Sequence, residues 1–145
     1  MPGSVRQDVR KVPEARELGV VELPAPTWAR AAPIVDILDA RRSTREFSSR
    51  PLALPVLAAL LWAAAGVNRP ATGGRTAPSA HGWHAIEVYA ALRDGMYRYD
   101  AGAHALRLVR TGDLRALTGT QTFVGGAPLD LVYVADTAKM GEATA

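Results

Sequence analysis

The 145-residue sequence contains no cysteine, which excludes disulfide bonds, thiolate nucleophiles and cysteine-ligated metal sites. It also has no run close to the roughly 18 apolar residues that a membrane-spanning helix needs. Residues 1–18 are polar and charged, without the apolar stretch of a secretory signal. We therefore expect a cytoplasmic protein with no membrane partner.

Histidine is also rare in the sequence, and the net charge is small. The three histidines are His81, His84 and His104, and no third ligand accompanies the close pair, so we predict no metal site. The 17 basic and 14 acidic residues leave a net charge of only +3. Without a recognition motif, this mild excess does not indicate a nucleic-acid partner.

What is present suits one globular domain, since hydrophobic residues make up 48% of the chain. Residues 1–32 are predicted to be an extended arm, because prolines interrupt any long helix there. For the first fifteen residues the alternative is a partly disordered leader. Within the arm, Val20, Val21 and Leu23 favour a short extended piece that docks on the body. We assign residues 33–145 to the domain itself.

The first half of this domain has helical patterns. Pro33 begins a helix that is expected to end near Arg41 or Arg42, with apolar residues on one face and Asp36 and Asp39 on the other. After a short turn flanked by Pro51 and Pro55, a second helix is predicted over 56–65, with Gly66 as its stop. Residues 66–78 are predicted to be a loop.

The second half has the two-residue period of strands. Strands are predicted over 86–92, 96–99 and 106–109, and Asp94-Gly95 is a hairpin signal. A short helix over 113–118 and a buried, nearly all-apolar strand over 129–135 follow. This order predicts an α+β fold, an antiparallel-rich sheet flanked by helices. Two helices and one short helix are too few to cover both faces of the sheet. A dimer partner or a missing C-terminal half is therefore expected to complete the fold.

The segment Arg41-Arg42-Ser43-Thr44-Arg45-Glu46-Phe47 places three guanidinium groups and two hydroxyls within five residues. Guanidinium groups match phosphate oxygens bidentately, and hydroxyls can donate to the remaining oxygens. A helix C-terminus repels an anion, so side chains would have to hold any phosphate here. The alternative is a solvated helix end, because cations near a helix C-terminus are favoured by the dipole.

This segment resembles the flavin-phosphate motif of the nitroreductase family. The resemblance extends over roughly residues 25–140 and includes the run from Leu60 to Gly66, Arg75-Thr76-Ala77-Pro78-Ser79-Ala80 with the strand after it, and Gln121 ahead of Ala127-Pro128. Residues 94–100 and Gly112-Asp113-Leu114-Arg115 resemble the branch that includes the SagB-type dehydrogenases.

The resemblance implies a homodimeric bacterial oxidoreductase with FMN at its interface, NAD(P)H as electron donor and a small-molecule substrate. By position, Arg41, Arg42, Ser43 and Arg45 would hold the FMN phosphate and ribityl chain. Pro78, Ser79 and Ala80 would line the flavin from the partner subunit, and Gln121 would contact its polar edge or ribityl chain. The catalytic residues stay unassigned.

Two departures from the family pattern matter. The run His81-Gly82-Trp83-His84 stands where family members often carry asparagine and glutamine, and Trp83 either packs over the flavin or is an ordinary core or interface aromatic. The family pattern also continues beyond residue 145, so we expect a domain incomplete at its C-terminus, with the remainder possible as a second chain. The alternatives are a SagB-type azoline oxidase acting on a peptide and a flavin-free binding subunit.

Overall fold

The computed structural model describes residues 19–27 and 32–141, so most of the predicted N-terminal arm lies outside the described residues. A five-stranded sheet forms the body, and each of its pairings is antiparallel. Its strands are β1 Val20–Glu22, β4 Ile86–Ala91, β5 Gly95–Asp100, β6 Ala105–Thr111 and β7 Asp130–Ala135, and they lie in the order β1-β6-β5-β4-β7. Two shorter strands, β2 Val67–Arg69 and β3 Gly74–Arg75, form a separate pair. With two α-helices beside the sheet, the predicted α+β fold is confirmed.

The β4–β5 hairpin forms where Asp94-Gly95 predicts it, and the Leu92 N–H donates to the Gly95 carbonyl across 2.9 Å. The predicted docking of the arm is also found, because β1 pairs with β6 and Leu23 is buried beside it. A hydrogen bond of 3.1 Å from the Leu23 N–H to the His104 carbonyl extends this pairing. The sheet therefore ends in β1 on one side and in β7 on the other.

Helix α2, Leu54–Ala65, covers one face of the sheet and contributes Leu57, Ala58, Leu61 and Ala65 to the core. It begins earlier than predicted because Pro55 occupies its first turn, where no N–H is needed, rather than a preceding turn. It ends at Gly66, as predicted. Its buried side chains contact sheet residues in one cluster that includes Leu57, Ala58, Leu61, Val88, Ala90, Tyr97, Tyr99 and Leu106.

Helix α1, Ile34–Ala40, contributes no buried residue to this core. Its apolar side chains are exposed by 54 to 71%, namely Ile34, Val35, Ile37 and Leu38. The helix ends one residue before Arg41, close to the predicted end. Its apolar face is therefore formed as the sequence pattern indicates but lies uncovered.

Three predicted elements differ from the structure. Residues 66–78 are not all loop, because β2 Val67–Arg69 and β3 Gly74–Arg75 form a hairpin whose turn includes Gly73 at a φ of 70°. The helix over 113–118 is only a 3-10 turn, Arg115–Leu117. Strand β7 is not buried: it pairs with β4 alone, and its last three residues are exposed.

Candidate functional site

A cavity of about 430 Å³ opens between the end of α2, the segment after β3, and strands β4 and β7. Pro78, Ser79 and Ala80 lie in its wall, as does Trp83. Most of the remaining lining is apolar, contributed by Ala64, Ala65, Ala77, Ala85, Ile86, Val88, Tyr133 and Met140, with Arg75 and His84 as the polar members. Such a mostly apolar hollow with few polar groups is typical of small-molecule sites.

The segment that follows Pro78 has an unusual backbone. His81 and His84 have φ values of 51° and 47°, and Gly82 between them has 69°. Side chains other than glycine rarely adopt this left-handed conformation, which costs about 1–2 kcal/mol per residue. The Ser79 hydroxyl accepts a hydrogen bond of 2.7 Å from the His84 N–H, which stabilises the loop.

This loop positions Trp83 in the cavity wall. Its ring lies 4.7 Å from the His81 ring, centroid to centroid, at an angle of 32°. The sequence left open whether Trp83 shapes a pocket or packs in the core; the structure places it half-buried at the cavity. Among the described residues, no group of three or more possible metal ligands occurs.

A smaller, polar cavity of about 190 Å³ adjoins the first and shares Arg75 and His84 with it. Glu87 in its wall accepts a hydrogen bond of 2.7 Å from Lys139 and lies 3.5 Å from the Arg98 guanidinium. The Lys139 hydrogen bond is the main reason why the pKa of Glu87 is lowered, with further support from the Tyr89 hydroxyl. Glu87 is therefore an ionised, fully partnered carboxylate at neutral pH.

The arginine segment lies apart from these cavities. Arg41 caps α1 in an extended conformation, and Arg41, Arg42, Ser43 and Arg45 are all exposed. Within the described ranges, no carboxylate pairs with these arginines. The Arg45 guanidinium lies 5.7 Å from the centroid of the Phe123 ring, a cation–π distance.

Gln121 belongs to the neighbourhood of this segment. It lies two residues before Phe123 and is exposed, and its carbonyl accepts a hydrogen bond of 3.1 Å from the Val124 N–H. The contact of Arg45 with Phe123 therefore brings Arg45 close to the chain segment that contains Gln121. Pro78, Ser79 and Ala80 line the cavity instead, and its walls include none of residues 41–45.

Arg115 is a residue whose importance the sequence patterns did not reveal. It is buried, forms a salt bridge of 2.6 Å with Asp113 and donates to the Ala127 carbonyl. Thr118 next to it donates a hydrogen bond of 2.9 Å to Asp130. The Asp113-Leu114-Arg115 run thus anchors the chain that leads into β7, and its charged pair two residues apart was the available signal.

Asp130 itself has a raised pKa, because burial outweighs the Thr118 hydrogen bond.

The described helices include none long and apolar enough to cross a membrane.

Residues 38–145 match the model of the Nitroreductase family. A nitroreductase by name from Methanocaldococcus jannaschii is 35% identical over 111 residues, which cover 70% of this chain and 56% of that protein. A crystal structure from Ralstonia eutropha JMP134, also named as a nitroreductase, shares 52% identity with a TM-score of 0.79 over 91% of this chain and 62% of that one.

The chain thus spans 56 to 62% of the length of these two relatives. The family match covers all of α2, the whole strand succession from β2 to β7 and every wall of the cavity described above. The agreement of sequence and fold leads to one assignment: this chain belongs to the nitroreductase family.

Proposed function

We propose that this chain is an FMN-dependent oxidoreductase, or the part of one that grips the cofactor. The observation that carries the proposal is the set of exposed guanidinium groups of Arg41, Arg42 and Arg45, which no carboxylate neutralises within the described ranges. A phosphate monoester needs several charge-assisted hydrogen bonds, and this extended segment offers them together with the Ser43 hydroxyl.

The cavity fits the other end of such a cofactor. A flat, largely apolar ring system requires an apolar wall with a few polar groups, which Pro78 and Ala80 provide with Ser79 beside them. Bound FMN would supply reversible hydride transfer between NAD(P)H and a small organic acceptor. In this reading the chain's own residues bind the phosphate, orient the ring and exclude water from it.

The separation of the two groups supports a homodimer. The arginine segment of one protomer would then hold the phosphate, while Pro78, Ser79 and Ala80 of the partner subunit would line the ring. The uncovered apolar face of α1, directly before Arg41, favours such an assembly because exposed apolar faces mark contact surfaces. The alternative is that a second chain, carrying further sequence of the family, covers the apolar face of α1.

The test compares FMN with riboflavin, which lacks the phosphate. We expect the purified chain to bind FMN at least tenfold more tightly than riboflavin, since one charge-assisted hydrogen bond contributes about 1.5–3 kcal/mol. Arg41→Ala and Arg45→Ala should each remove most of this preference. Arg50→Ala is the matched control, because Arg50 is exposed nearby but bonded to Ser48. Equal affinities for FMN and riboflavin would refute the phosphate role.

Two other readings have different outcomes. A flavin-free binding subunit predicts a colourless protein that gains no flavin absorbance when FMN is added. A SagB-type azoline oxidase predicts FMN binding together with oxidation of an azoline-containing peptide. Its Asp113-Leu114-Arg115 motif already has a structural explanation, so this candidate is the weaker. The cytoplasmic location stays a prediction.

A further inference from the structure

Arg75 occupies a particular position in the candidate site. Its side chain lies in the wall that the apolar cavity and the polar cavity share, and the residue is only half-buried. The backbone that carries it is fixed, because the Arg75 carbonyl accepts a hydrogen bond of 3.0 Å from Arg69 and the next residue, Thr76, donates to the Trp62 carbonyl across 3.1 Å. Arg75 is therefore held by its backbone at a position that lines both cavities.

The carboxylates around Arg75 are already neutralised by other cations. Glu87 is paired with Lys139 and Arg98, and Asp100 is paired with Arg107 at 2.8 Å. Within residues 19–27 and 32–141, no carboxylate pairs with the Arg75 guanidinium. A partly desolvated cation without a counter-ion favours an anion in the adjoining space.

The apolar cavity has the opposite character on its other sides. Trp83, Met140 and Ile86 form walls suited to a ring or a short hydrocarbon, and they line the same cavity as Arg75. From this juxtaposition we infer that Arg75 determines specificity by binding the carboxylate of an anionic aromatic substrate whose ring lies against Trp83. The inference rests on the proposed function, because that function makes the ligand an electron acceptor.

The experiment uses para-nitrobenzoate and nitrobenzene, which differ only in the carboxylate. Affinities of the full chain for both compounds are measured by calorimetry, with and without added FMN. We expect at least tenfold tighter binding of para-nitrobenzoate. Arg75→Met should bring the ratio to within about twofold, whereas Arg75→Lys should keep part of it, because it keeps the charge but not the bidentate fork.

Arg98→Met is the matched control, since Arg98 lines only the polar cavity and is paired with Glu87. Its binding ratio should stay at the original value. Thermal unfolding of each variant shows whether it folds, and the lysine variant tests the inference if the methionine variant does not. A wild-type chain without preference for the anion, or one that binds neither compound, overturns the inference, as does a preference that survives in Arg75→Met.

The result is separable from the proposed function, because FMN binding is scored independently by flavin absorbance. A chain that fails to bind FMN but shows an Arg75-dependent preference would sink the flavin proposal and leave the anion site standing. A chain that binds FMN and shows no preference for para-nitrobenzoate would overturn the anion site and leave the flavin proposal standing.

Discussion

The Arg115 guanidinium donates to the Ala127 carbonyl oxygen across 2.5 Å, and both residues are buried. This hydrogen bond spans twelve positions of sequence and fixes the segment that enters β7. Strand β7 contributes Tyr133 to the cavity wall, whereas neither Arg115 nor Ala127 lines the cavity.

The first prediction concerns this contact. Arg115→Met should lower the free energy of unfolding by about 2 kcal/mol, because the buried Ala127 carbonyl would lose its donor. Chemical denaturation measures the change. Arg110→Met, at an exposed position on β6, should stay within about 0.5 kcal/mol of the original chain. Equal unfolding midpoints for the two variants would contradict the anchoring role.

The partner of Arg115 gives a prediction for acidic pH. Side-chain hydrogen bonds from Arg115, aided by its backbone N–H, lower the pKa of Asp113 from 3.8 to about 2. A lowered folded-state pKa stabilises the fold fully above pH 4, and this stabilisation is lost as the pH falls toward 2. We expect Asp113→Asn to unfold with a shallower pH dependence in that window. Unchanged slopes would argue against the ion pair.

The left-handed backbone at His84 leads to a third prediction. His84→Gly should keep the free energy of unfolding within about 1 kcal/mol, while His84→Val should lower it by about 2 kcal/mol, because a β-branched side chain is strained at a φ of 47°. At the exposed Tyr133 of β7 the order should reverse, since a strand favours valine over glycine. Denaturation curves of all four variants measure these free energies of unfolding, and the same order of glycine and valine at both positions would contradict the prediction.

A fourth prediction concerns the docking of β1. The His104 Nε2–H donates to the Pro24 carbonyl across 2.9 Å, so Nδ1 is the atom that accepts from the Tyr99 hydroxyl at 2.8 Å. His104→Gly suits the φ of 49° but removes both bonds, and it should increase proteolytic cleavage within residues 19–27 several-fold. Tyr99→Phe, which keeps the Pro24 bond, should be cleaved more slowly than His104→Gly. Identical cleavage rates for His104→Gly and the original chain would show that His104 does not hold the arm.

The parts of the fold that could be predicted are those with local causes. The turn at Asp94-Gly95 and the apolar period of α2 are determined by neighbouring residues. The hairpin forms where expected, and α2 ends at Gly66 as expected although it begins at Leu54 rather than Val56. The exposure of β7 could not be predicted, because an apolar strand reads alike at the centre and at the edge of a sheet. Strand order decides between the two, and no local pattern encodes that order.

The candidate site follows the same division. The dense arginine segment was visible because its chemistry lies within a few residues. Arg75 and Arg115 were present in recognised motifs, yet their roles depend on partners and cavities that only the folded chain brings together. Long-range relationships of this kind explain why the sequence patterns indicated a phosphate site and did not indicate the anion site proposed at Arg75.

The uncovered helix α1 has a consequence for solution measurements. A helix of seven residues with no buried side chain is too short to persist in water on its own propensity, since isolated helices of fewer than about 12 residues are marginal. The backbone amides of α1 should therefore exchange their hydrogens with deuterium rapidly whenever its apolar face is open to water, and slowly when another surface covers it. The hydrogen-exchange rates of the Ile37 and Leu38 amides therefore report whether another surface covers α1, and this measurement needs no flavin.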